Sequence, residues 1–148
     1  MPAESFINKQ LRLLLEQQTA AAFMNLVTGP LRGKQFTLLG YDFGPEGNVA
    51  FKTTCDIVSL ARLVRGLLSR WGSGTTQIHS TGDRDEVVSP GVLELVHAKL
   101  TTELPAGVGY SLLIGSKFCT GYLSNAERHG VIEMLEKLAN SWEEEARS

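Results

Sequence analysis

Cysteine is scarce in this chain: its 148 residues hold two, Cys55 and Cys119. Two thiols make no disulfide framework and cannot by themselves complete a metal site. Both read as small apolar residues in a reducing compartment. Long apolar runs are absent too. No stretch reaches the roughly 18 residues that a membrane span requires, and the start, MPAESFINKQ, lacks the basic region and apolar run of a signal peptide. Nor does charge of one sign accumulate. A net charge of −2 and a pI near 5.9 give no global reason to expect nucleic acid or an anionic membrane as partner. Binding of that kind would need a local patch. Together these absences predict a soluble protein of the cytoplasm.

The motifs of common chemistries are missing as well. There is no GxSxG, no P-loop and no GxGxxG following a strand. GPEGN and GSGTT share only composition with phosphate loops, and the second continues as TQIHS where a P-loop needs GK[ST]. His79, His97 and His129 stand in no metal-type spacing. Asp83, Asp85 and Glu86 read as solvated loop charge. Glu143, Glu144 and Glu145 read as a solvated helix end that opposes the macrodipole and favours fraying. No cofactor is expected.

What is present is an ordinary globular composition, 43% apolar and 20% charged, in a length that suits one domain. Ser5 to Val27 reads as helix, with Phe6, Leu11, Leu14 and Leu15 at helical spacing and Gly29-Pro30 as its stop. QFTLLGY and VAFKT, joined through DFGPEGN, read as a hairpin. From Asp56 the period changes: Ile57, Leu60, Ala61, Val64, Leu67, Leu68 and Trp71 trace one helix face. The Gly-, Ser- and Thr-rich segment 72–88 reads as a linker, with room for one short strand around Ile78. Ser89-Pro90 opens another helix, with Val92, Leu93, Leu95, Val96 and Leu100 apolar. GYSLLIG and KFCTGYL make a second hairpin around Gly115-Ser116. A last helix from Asn125 to about Glu144 buries Val131, Ile132, Leu135, Leu138 and Trp142.

The order helix, strand, strand, helix thus occurs twice. Phe51 to Trp71 aligns without gaps on Tyr122 to Trp142, about 71 residues further on, with Leu67 on Leu138 and Trp71 on Trp142. FTLLG and YSLLI align three residues out of phase, which the longer first hairpin loop absorbs. Thr53 with Asp56, and Ser124 with Glu127, read as matching capping boxes. The expected fold is α+β: a tandem duplication of an α-β-β-α unit, 1–71 and 89–148 about the linker 72–88. It has a four-stranded antiparallel sheet with helices on one face, leaving a groove or an uncovered sheet face for a ligand.

The segment TGYLSNAERHGVIEMLEKLANSW carries a resemblance. Tyr122, Leu123, Ser124, Asn125 and Arg128 resemble the Tyr-Ile-Ser-Asn type corner of small bacteriophage and prophage proteins, in which a hairpin strand leads into an amphipathic helix. The likeness spans roughly the last 40 residues, has Leu123 where Ile or Val is usual, and carries over no catalytic residue. It implies a phage or prophage origin, hence the host cytoplasm.

Surface charge gives the remaining signal. Arg62, Arg65 and Arg70 lie on the outer face of the second helix, and their counterparts on the last helix are Glu133, Glu136 and Ser141. A basic face of this kind would bind an acidic protein, a nucleotide or RNA, or support self-association. The candidate binding residues are therefore Arg62, Arg65, Arg70, Tyr122, Asn125, Arg128 and His129. The expected function is a phage accessory protein that binds and inhibits a host defence or transcription factor, or sequesters a small nucleotide signal. Two alternatives stand beside it: an enzyme using Arg128, His129 and Asp56, and a virion or assembly component. An exposed sheet edge further predicts a homodimer.

Overall fold

A computed structural model of the chain describes residues 6–42, 48–72, 89–104, 108–115, 121–126 and 128–147. His79, Cys119, Glu127, the linker acids and the strand expected near Ile78 lie outside these residues. The elements run α1 (Phe6–Val27), β1 (Phe36–Asp42), β2 (Val49–Thr53), α2 (Ile57–Gly72), α3 (Pro90–Glu103), β3 (Val108–Ile114), β4 (Gly121–Ser124) and α4 (Arg128–Arg147). The class is α+β, with one antiparallel four-stranded sheet in the order β2-β1-β3-β4. Among the described residues no helix is long and apolar enough to cross a membrane.

The inner strands β1 and β3 are apolar on both faces, and the reason is visible in their packing. Leu39, Tyr41 and Leu113 face α2 and α4, while Phe36, Leu38, Tyr110, Leu112 and Ile114 form a second core with Ala22 and Leu26 of α1 and Val96 and Leu100 of α3. Helices therefore cover both faces. The sequence predicts helices on one face only; instead both faces are covered, because strands that carry large apolar residues on both faces need a layer on each side.

The register places Leu38 opposite Leu112 in the centre of the sheet. About that pair the two hairpins are bonded alike. Thr37 lies opposite Thr53 and Ser111 opposite Ser124, and the facing hydroxyls meet at 2.7 and 3.1 Å. Trp71 packs edge-on to Tyr122 at 5.2 Å, and Phe51 packs edge-on to Trp142 at 5.1 Å. Each half thus sends a strand aromatic against the helix tryptophan of the other.

Two helix details differ from expectation. In α1 the buried line is Leu15, Thr19, Ala22 and Leu26, whereas Leu11 and Leu14 are about half exposed. Small residues let the helix lie close to the sheet: Thr19 sits directly over Gly40, where a methyl group would come within 2.2 Å of its Oγ1. The cap of α2 is also not the predicted box. Asp56 is the capping residue, its Oδ2 accepting from Ser59 N at 3.1 Å and its Oδ1 from the Ser59 hydroxyl at 2.7 Å. Thr53 instead accepts from Cys55 N, and Ser124 likewise from Ala126 N, each two residues on. These hydroxyls turn the chain from strand towards helix rather than capping the helix itself. Ser89 caps α3 as its sequence predicts, accepting from Val92 N with Pro90 following.

Candidate functional site

Helices α2 and α4 pack antiparallel on one face of the sheet. Arg65 on α2 meets Glu143 and Asn140 near the end of α4, and the start of α2 shares a groove with the last turn of α4. Val58, Ala61 and Ala146 form the apolar part of this groove, of about 540 Å³, and Arg62, Arg65, Glu143 and Arg147 the polar part. Val58 is 44% exposed, which leaves its apolar surface open to a ligand.

Arg65 makes a two-pronged contact with Glu143, Nε to Oε2 at 3.2 Å and Nη2 to Oε1 at 2.7 Å. These hydrogen bonds, then the nearby Arg65 and Arg147 charges, hold the Glu143 carboxyl below its ordinary value. The same bonds raise the Arg65 guanidinium. Arg65 is thus partly engaged in joining α2 to α4, which corrects the expectation of a free basic face. Arg62 is exposed. Among the side chains that line the groove, three guanidiniums stand against one carboxylate.

The other predicted residues lie elsewhere. Arg70 is in the last turn of α2, where a cation suits the helix dipole. Tyr122 is half-buried against Trp71, its hydroxyl without a hydrogen-bond partner among the described residues. Asn125 is structural: its Oδ1 accepts from Tyr110 N at 2.8 Å and its Nδ2 donates to the Val108 carbonyl. Arg128 opens α4. His129 is exposed, and its pairing among the described residues is local, Nε2 to Glu133 at 3.3 Å. Because α2 and α4 run antiparallel, Asp56 adjoins the C-terminal end of α4, whereas Arg128 and His129 stand at its start. Twenty residues of helix place those ends about 30 Å apart. Asp56, Arg128 and His129 therefore form no common site, and Asp56 is committed to capping.

The seven predicted binding residues accordingly divide between the two ends of the helix pair. Arg62 and Arg65 share the groove; Tyr122, Asn125 and His129 belong to the opposite corner. Sequence reasoning missed Arg147, Val58 and the role of Glu143. The i, i+4 spacing of Glu143 and Arg147 was legible, but the partner across the helix pair was not. Among the described residues no three His, Cys, Asp or Glu side chains gather as a metal site. No known family model matches the chain, and comparison with curated proteins and with solved structures found no match.

Proposed function

We propose that the chain is a binding protein that takes an acidic, partly apolar segment of a partner protein into the groove between the start of α2 and the end of α4. The observation that carries this reading is the placement of Arg62 and Arg147 beside an open apolar strip, with Arg65 already neutralised by Glu143. Arginine at such a rim gives forked recognition of carboxylates, and the apolar strip gives burial. Among the described residues the groove lining holds no aromatic side chain on which a nucleobase could stack. That favours a peptide over a small nucleotide signal. The phage-like corner makes a host factor the expected partner and inhibition the expected effect. We also infer that the two α-β-β-α units arose by duplication, which the matching hydroxyl and aromatic pairs support.

Co-purification from host cells and mass spectrometry would identify the partner, and calorimetry with that purified partner tests the site. Arg62→Glu and Arg147→Glu should each weaken binding at least tenfold, the wild-type affinity falling steeply with salt. Arg70→Glu, at the far end of the helix pair, should change it little. Equal losses for all three variants, or none for Arg62→Glu, would remove the proposal.

A further inference from the structure

The outer strand β2 has an open edge, since among the described residues only β1 pairs with it. The ladder determines which groups face out. Asp42 N bonds the Asn48 carbonyl and Thr54 N bonds the Phe36 carbonyl, so alternate residues Ala50 and Lys52 turn their amides towards β1. Those of Val49, Phe51 and Thr53 turn outward. Phe51 lies at the centre of this edge.

Helix α1 runs beside the same edge and carries a second stripe, distinct from the one it buries. Leu13, Gln17, Ala20 and Met24 follow one another at spacings of four, three and four, the seam pattern of paired helices. Leu13 is 39% and Met24 54% exposed, although both are large and apolar. Leu13, Gln17 and Ala20 share with β2 a groove of about 530 Å³, whose charged groups are Glu16 and Lys52.

We propose that this surface binds a second copy of the chain, β2 pairing antiparallel with the partner's β2 about Phe51 and α1 packing on the partner's α1. A dyad there lets Phe51 exchange both hydrogen bonds with its counterpart, giving a continuous eight-stranded sheet. It sets Leu13 against the partner's Met24, and Gln17 against the partner's Ala20, whose small side chain allows close approach. The two seams superpose because Thr19, at the middle of the α1 stripe, lies over Gly40, and Gly40 pairs with Ala50 beside Phe51. The charges are self-complementary under the same axis. Lys52 comes opposite the partner's Ala50 and reaches the partner's Glu16, which among the described residues of its own chain pairs with Arg12 at 3.3 Å.

Among the described residues the opposite edge lacks these features. On α3 the positions matching Gln17, Ala20 and Met24 are Gly91, Glu94 and Ala98, all exposed and without a large apolar side chain. The asymmetry selects β2 as the interface and predicts a closed dimer rather than a filament.

Sedimentation equilibrium of the full chain over a concentration series tests the inference. The wild type should be dimeric. Leu13→Glu and Met24→Glu, each checked for folding by circular dichroism, should raise the dissociation constant at least a hundredfold. Leu14→Glu, equally exposed but on another face of α1, should leave the dimer intact. Lys52→Glu should dissociate it, and adding Glu16→Lys should restore it. A wild type that stays monomeric throughout overturns the proposal. So does a dimer that survives both Met24→Glu and Lys52→Glu.

Discussion

At position 40 the sheet has no room for a methyl group. Gly40→Ala would drive its Cβ into the Thr19 hydroxyl, and a β-branched side chain has little freedom to yield. The expected loss is about 1–3 kcal/mol by denaturant unfolding, with much of it recovered when Thr19→Ala is added; equal losses in single and double variants would disprove the clash. Tyr110 invites a second test. Its hydroxyl bonds His97 Nδ1, where the other half of the sheet has the apolar ring pair Phe23–Phe36. Burial, then the neighbouring Tyr41, pushes its pKa up to about 12. A buried phenol stays neutral while the unfolded one ionises above about pH 10. Stability should therefore be full below pH 10 and fall by about 2–3 kcal/mol as the pH rises towards 12. Absorbance titration should show Tyr110 ionising late, together with Tyr41, which burial also raises. Tyr122 gives the opposite case. Its buried hydroxyl finds no partner among the described residues, so Tyr122→Phe should be neutral or stabilising by up to about 1 kcal/mol. A large loss in thermal unfolding would mean that the hydroxyl is bonded.

Among the elements, helices and strands came from periodicity, and their partners did not. The stripes of α2 and α4 were legible because a two-helix layer on a sheet demands a broad apolar face; even so, Ala139 is fully buried and was passed over. α1 misled because its large residues Leu11 and Leu14 are exposed and its core line contains Thr19 and Ala22. Size pointed one way, and close packing required the other. The union of α2 with α4 through Arg65 and Glu143 should show in pH dependence. Glu143 is depressed in the folded state, so its contribution is complete above the ordinary glutamate value. It is lost as the pH falls below that value through the depressed one. Glu143→Gln should flatten this acid limb of the thermal midpoint, and high salt should shrink the difference; an unchanged limb would rule the pair out as its source.

For the molecule as a whole, hairpin pairing, helix order and the likeness of the two halves could be read from the residues. Local signals sufficed: a change of period from two to 3.6, turn residues between runs, and Trp71 and Trp142 in matching places. The basic groove was half legible, since Arg62 and Arg65 are neighbours on one helix face while Arg147 is distant in the chain. The sequence by itself determined the α+β class and the succession of elements, because short-range sterics and hydrophobic spacing set them. Only the tertiary structure decided that helices cover both sheet faces, that Arg65 is held by Glu143, and that the α1 stripe runs beside an open β2 edge. Those facts depend on which surfaces meet, and burial is a property of the assembled layers rather than of any segment.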